Sequence, residues 1–428
     1  MARVFFDSPA PKVYSRGTTR TRSPRETLAR LEPVLGHFGI TRLANVTGLD
    51  HLDIPVYQAV RPNARSLAVS QGKGLDAVSA KVSALMESLE AHHAEHTRCS
   101  VRLESYRALS RRNLVADPEF LPLSRTSRFH PEASLPWAAA RDVVTHERVY
   151  VPFELVHANY TLPRVPGSGA FAPGTSGLGS GNHLAEATLH GTCELIERDA
   201  EALWKLSGGE SLTATRIDPS SVDHPAPREL VDRMRRAGSE VMIWDMTSDV
   251  GIATFGVFVF DLEADPDLNP CPAANGSGTH PDRSIALCRA LTEAAQSRLT
   301  SIAGSRDDLT IARYHWFQSA RSLEHYRALT RAPTGRSYSD VPDFIGASID
   351  EDLGHVIGRL AARGMRRVLA VDHSGREFGW GQDAESSEVH EPEPLSDFAF
   401  VRMVIPGLEG SSESPSYRPG ARGRARLA

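Results

Sequence analysis

The stretch Ser176–Ala200, SGLGSGNHLAEATLHGTCELIERDA, constrains this chain more than any other. A Gly/Ser run opens it. A segment with helical spacing follows, with apolar or small residues at Leu184, Ala187, Thr188, Gly191, Leu195 and Ile196. Glu194 and Glu197 stand three apart, so their carboxylates leave one face of the helix. Like charges so close repel unless a cation lies between them or water screens them. The Gly-rich run reads as a turn whose backbone N–H groups, at a helix N-terminus, suit an anion. A solvated acidic face behind an ordinary turn would be spelled the same way. An anion turn and a carboxylate pair on one element point instead to a nucleotide-phosphate and metal site.

The pattern occurs twice. SLAVSQGKG reads as a strand entering a second Gly-rich turn, Ser70–Gly74, and a helix is expected from about Leu75 to His96. Glu87 and Glu90 form the second i, i+3 pair, so two helices can offer carboxylate pairs to shared metal ions. Lys73 can reach a phosphate, although GxxxxGK[ST] is absent and this is not a Walker loop. His92 and His96 have metal-ligand spacing, but a polar helix end explains them better. A third helix, Arg283–Ile302, places Glu293 and Gln296 on one face and Arg298 elsewhere, and Gly304 caps it. Ahead of it, Ala264–Pro281 reads as a Pro-, Asn- and Gly-rich loop able to move over a site. Ser23-Pro24-Arg25-Glu26 starts a further helix as a capping box.

With 428 residues the chain can build a large core in more than one lobe. A net charge of -5 gives no general attraction to nucleic acid. No apolar run approaches the roughly 18 residues of a membrane span. The basic N-terminus lacks a secretory core, so the expected address is cytoplasmic. Cys99, Cys193, Cys271 and Cys288 have neither zinc nor disulfide spacing, and Cys193 reads as a small buried residue.

Together these segments resemble the YcaO family. SGLGSGNHLAEATLHGTCELIERDA looks like its central ATP/Mg²⁺ motif, SQGKG…SALMESLE like its first and EAAQSR like its third. KVYSRGTTR, SPRETLARL, GITRLANVTGLD and IPV…RPNARSLAVSQGKG resemble the subgroup encoded beside a TfuA partner. Thr19 departs from that subgroup's GTHR, and the PxPxP ending of azole-forming members is missing. The resemblance implies an α/β (α+β) fold of mixed or antiparallel sheets with packed helices, not a Rossmann fold, and an ATP site between the helices. It implies an N-terminal region over residues 1–65, an ATP-binding catalytic domain over 66–408 and a flexible tail over 409–428. The implied reaction is ATP- and Mg²⁺-dependent activation of a peptide backbone amide. Sulfur insertion with a TfuA-like sulfur-delivery protein gives a thioamide, and attack by a neighbouring side chain gives an azoline. An accessory role in ribosomal-protein methylthiolation is a third reading. Carried over residue by residue, Glu87, Glu90, Glu194 and Glu197 become metal ligands. Ser70, Lys73, Asn182, Glu186, Arg198, Gln296 and Arg298 become ATP contacts, and Glu197, Arg198 and Arg298 the catalytic residues. The expected partners are a TfuA-like protein and a peptide or protein substrate, with no nucleic acid and no membrane. A homodimer is compatible with the resemblance.

Overall fold

The computed structural model describes residues 9–165, 167–263, 265, 271–374 and 395–428. Helix α1 (Pro24–Leu31) precedes a three-stranded antiparallel sheet, β1 (Arg42–Asn45), β2 (Val56–Val60) and β3 (Val69–Lys73). A seven-stranded mixed sheet has the order β5 (Leu114–Val115), β7 (Arg148–Pro152), β6 (Ser134–Asp142), β13 (Leu369–Asp372), β14 (Ala399–Val404), β8 (Leu178–Gly181). β4 (Val101–Ser105) also pairs with β6. The third sheet is antiparallel, in the order β12 (Ala273–Thr279), β11 (Thr254–Asp261), β10 (Ser239–Asp245), β9 (Arg216–Ile217).

Each sheet ends on a strand that feeds a long helix. β3 leads to α2 (Ala77–Glu95), and β8 leads to α3 (Leu184–Leu206). α4 (Pro225–Arg236) packs beside β10, and β12 leads to α5 (Arg283–Ala303). The three strand–helix units share one spelling. Gly72, Gly179 and Gly278 each lie four residues before a helix N-cap, namely Asp76, His183 and Asp282. A Cβ on Gly179 would stand 2.2 Å from the Ala187 carbonyl oxygen, and one on Gly278 would stand 2.2 Å from that of Ala286. Gly72 meets Ala80 and Ala84 in the same way. The helix backbone therefore lies directly on its own strand, which only glycine below and alanine or glycine above permit.

This corrects the expectation of two phosphate-cradling turns. Ser70–Lys73 and Leu178–Gly181 are strand, and their glycines serve close helix packing. Each helix also touches the strand of another unit: α2 meets β8, α3 meets β12, and α5 closes the ring on β3. The units thus form a pseudo-threefold ring with α2, α3 and α5 around its centre.

Two further expectations change. Much of the stretch expected as a loop over Ala264–Pro281 is β12, with alternate residues packed on α5, while residues 264 and 266–270 lie outside the described residues. The segment from Glu409 onward, expected to be a flexible tail, is packed. It ends in helix α6 (Ala421–Leu427), which lies against α3. Buried Glu409 accepts backbone hydrogen bonds from Gly420 at 2.8 Å and Gly423 at 2.7 Å. Arg422 grips the buried Asp199 of α3 with two bonds, at 2.8 and 2.9 Å. Among the described residues no helix is long and apolar enough to cross a membrane.

Candidate active site

The ring brings the predicted acidic pairs together. Fifteen residues after their unit's glycine stand Glu87, Glu194 and Glu293, and eighteen after it stand Glu90, Glu197 and Gln296. The first set folds back on its own strand. Glu87 Oε1 accepts from the Gln71 N–H at 3.4 Å, Glu194 Oε2 from Gly177 at 3.0 Å, and Glu293 Oε1 from Ser277 at 3.4 Å. The second set reaches across to the next unit. The Ser180 hydroxyl of β8 bonds to the Glu90 carboxylate. Ser277 Oγ of β12 donates to Glu197 Oε1 at 2.9 Å, and Gln296 Nε2 donates to the Gln71 carbonyl of β3 at 3.2 Å.

Five carboxylates thereby share one neighbourhood against few cations. Burial, with Glu194 and Glu87 adding to it, pushes the Glu90 carboxyl up to about 8. Burial likewise pushes Glu87 up to about 7, against the pull of Lys73. Burial raises Glu197 too, with Arg198 opposing and Glu293 and Glu194 reinforcing the shift. Lys73 Nζ lies 2.5 Å from Glu293 Oε2, and this ammonium helps hold Glu293 below the usual carboxylate range although its burial pushes the other way. Arg198 stands 3.6 Å from Glu194, 3.9 Å from Glu197 and 3.6 Å from Glu201, and these carboxylates raise its pKa despite burial.

Among the described residues no three His, Cys, Asp or Glu donors converge closely enough to hold a metal unaided. Mg²⁺ typically takes one or two carboxylates and completes its shell with phosphate oxygens and water. The residues fit such an ion: hard oxygen donors on facing helices, short of positive charge.

The remaining predicted residues lie around this centre in different roles. By strand alternation Ser70 shares the α2-facing side of β3 with Gly72, while Lys73 and Gln71 reach α5. Asn182 and Glu186 hold the N-terminal segment. Thr27 Oγ1 donates to Asn182 Oδ1 at 2.8 Å, and Thr21 Oγ1 donates to Glu186 Oε1 at 2.6 Å. Arg20 Nε lies 3.9 Å from Glu186. Arg298 faces away from the carboxylates. Its guanidinium is 2.7 Å from Asp261 and 3.3 Å from Asp50, with a side chain only 2% exposed. Arg298 thus forms a buried ion triad with Asp50 and Asp261. His92 and His96 are stacked at 4.4 Å, and His93 stacks on Phe400, so the helix end is an aromatic packing surface.

Sequence reasoning noted Glu293 on the face of Gln296 without giving it a role, and passed over Ser277 and the basic group beside them. Arg289 Nη1 lies 2.9 Å from His190 Nδ1, and burial drives His190 and His280 well below the usual imidazole range. Arg289 and His190 both stand eleven residues after their unit's glycine, so the threefold spacing is the signal that would have found them.

The family described as YcaO cyclodehydratase, ATP- and Mg²⁺-binding, matches residues 71–409. The chain belongs to the YcaO family. A Rhizobium leguminosarum bv. trifolii protein, described as uncharacterized and lying in the tfuA 3′ region, is 36% identical over 400 residues, covering 91% of this chain and 88% of the relative. An uncharacterized Methanothermobacter thermautotrophicus protein is 34% identical over 411 residues, covering 94% and 98%. The structure of YcaO from Methanopyrus kandleri bound with AMPPCP and Mg²⁺ shares the fold, with a TM-score of 0.70, 21% identity and coverage of 96% and 99%. A heterocyclase in complex with substrate and cofactor also superposes with a TM-score of 0.70 at 20% identity. The match covers 94% of this chain and spans about half (54%) of that longer protein. The fold is thus the YcaO type foreseen from the motifs, and the subgroup resemblance agrees with the tfuA neighbourhood of the Rhizobium relative.

Proposed function

We propose that this YcaO protein uses ATP and Mg²⁺ to activate a backbone amide of a peptide or protein, and that sulfur from a TfuA-like partner then replaces the amide oxygen. The observation that carries this reading is the cluster of Glu87, Glu90, Glu194, Glu197 and Glu293 at the centre of the ring, backed by Arg198 and Lys73. One or two of these carboxylates, with phosphate oxygens and water, would hold each Mg²⁺, and Mg·ATP would supply an electrophilic phosphoryl group that turns the amide oxygen into a leaving group. Arg198 presents a planar donor fork that neutralises negative charge beside the metal ligands. Arg289, oriented against His190, and Arg20 add cationic donors on the same side of α3 and α5. The N-terminal segment clamped by Glu186 and Asn182 covers the start of α3 and limits water there.

Sulfur insertion is favoured over ring closure by the resemblance of KVYSRGTTR, SPRETLARL and GITRLANVTGLD to the TfuA-associated subgroup and by the tfuA-region relative. Ring closure remains the second reading because the family is described as cyclodehydratases. The test is reconstitution with Mg·ATP, a sulfide source, the TfuA-like protein and candidate peptide, read by mass spectrometry. Oxygen-to-sulfur exchange raises the peptide mass and needs no side-chain nucleophile. A dehydrated product formed without sulfide or partner would overturn the thioamide assignment and leave amide activation standing. No modification and no peptide-dependent ATP consumption would favour an accessory role.

A further inference from the structure

Arg402 of β14 is a buried guanidinium that the chain does not neutralise directly. Only 4% of the residue is exposed. Its Nη2 donates to the Gly174 carbonyl at 2.9 Å, while buried Nε and Nη1 have no hydrogen-bond partner among the described residues. No carboxylate of the described residues lies within ion-pair distance of it. Glu90, Glu194 and Tyr160 act on it only through longer-range attraction. A buried charge left this way is costly unless a ligand or ordered water meets its free N–H groups.

His373 directly follows β13, donates its backbone N–H at 2.9 Å to the carbonyl of Phe400, which stands two residues before Arg402 on β14, and is 1% exposed. Its Nδ1 is 2.9 Å from Thr97 Oγ1, and that hydroxyl already donates to the Ala94 carbonyl at 3.1 Å. With the Thr97 hydroxyl proton given to Ala94, Nδ1 carries the ring proton and donates to Thr97. Nε2 is then a bare lone pair, also buried and without a hydrogen-bond partner among the described residues. The pair offers guanidinium N–H donors and one acceptor nitrogen. The complementary ligand is an anion that still carries a proton.

We propose that Arg402 and His373 form a second subsite, next to Glu90 and Glu194, that binds a small protonated anion. Hydrosulfide and monohydrogen phosphate share this chemistry. Under the amide-activation reading the first would be the entering nucleophile and the second the released product. That reading selects the probes, while the subsite itself rests on the two unpartnered side chains. Glu90 and Glu194 would repel the anion until a cation is bound to them, so binding should be tighter with Mg²⁺ and a non-hydrolysable ATP analogue present.

The test is calorimetric titration of the full-length protein with sodium hydrosulfide, sodium phosphate and sodium sulfate at neutral pH, with and without Mg²⁺ and the analogue. Sulfate carries no proton and should bind about tenfold more weakly than the better of the other two. Whichever of hydrosulfide or phosphate binds identifies the source. Arg402→Gln should weaken that binding by about tenfold or more, and His373→Phe should erase the preference over sulfate. If Arg402→Gln fails to fold, Arg402→Lys and His373→Phe carry the comparison. Equal affinity in wild type and variants, or no anion binding to wild type under either condition, overturns the subsite. Loss of binding of the Mg²⁺–analogue complex in wild type, with anion binding intact, would count against the amide-activation reading alone.

Discussion

At Glu197 the chemistry and the packing make separable demands. Its Oε1 accepts from Ser277, an acceptor role that glutamine can keep, whereas the negative charge serves only a cation. Glu197→Gln should therefore weaken Mg²⁺-dependent ATP binding by at least about tenfold while leaving the melting temperature unchanged or raised, because a buried like charge is removed. Calorimetry with and without EDTA checks this, and unaltered, EDTA-insensitive ATP binding would place the metal elsewhere. Arg298 gives the opposite pattern. Truncation to alanine takes the guanidinium from two buried carboxylates, leaving Asp50 with the Leu52 N–H and Asp261 with the Ser239 hydroxyl, so Arg298→Ala should cost about 3–5 kcal/mol of stability in denaturant unfolding. A stable variant with lost ATP turnover would restore the nucleotide-contact role that the motif implied. Gly179→Ala tests the close approach beneath α3. With the Ala187 oxygen 2.2 Å from the new Cβ, strand and helix must separate, at a cost of about 1–3 kcal/mol.

Among the elements, α3 carries the most roles. Its first turn holds the N-terminal segment through Glu186, its middle turns carry Glu194, Glu197 and Arg198, and Asp199 anchors the C-terminal segment through Arg422. Arg422→Ala should lower stability by about 3–5 kcal/mol, since Asp199 is fully buried and would be left with a single backbone donor, that of Glu409. Adding Asp199→Asn should recover part of that loss. Strict additivity of the two changes in unfolding free energy would mean that the pair does not act as a clasp. The helices themselves were legible in the sequence, because Ser23 and Gly304 are strong local start and stop signals and the acidic pairs have helical spacing. The strands at Leu178–Gly181 and Ala273–Thr279 were not. Glycine and serine read locally as turn formers, and only the helix pressed on each strand explains their presence there. The docked tail was hidden for a similar reason: its Ser-, Pro-, Gly- and Arg-rich composition describes no core, and its order comes from bonds to Glu409 and Asp199.

Over the whole molecule, the candidate site belongs to no single unit: each supplies one carboxylate that caps its own strand and one polar side chain that reaches the next. Cations at the centre should tie all three units together, whereas the buried imidazoles of His92 and His373 govern how stability responds to acid. Burial, reinforced by neighbouring histidines, holds His92 down to about 3, and burial, followed by Arg402, holds His373 down to about 3. In the unfolded chain an imidazole titrates near 6.5. Between these values the unfolded state takes up protons that the folded state refuses. The stability they contribute is therefore fully present above about pH 6.5 and is lost as pH falls toward 3. The raised carboxyls of Glu87 and Glu90 act in the reverse direction, adding stability as pH falls from about 8, and would mask the trend in the wild type alone. The difference between wild type and His373→Phe cancels them, since both proteins keep the same carboxylates. That difference, measured by urea unfolding from pH 8 to pH 4, should be flat above about pH 7 and should swing in favour of the variant below about pH 6. A constant difference across the range would mean that His373 accepts a proton in the folded protein, and that its Nε2 is not the sealed lone pair the structure describes.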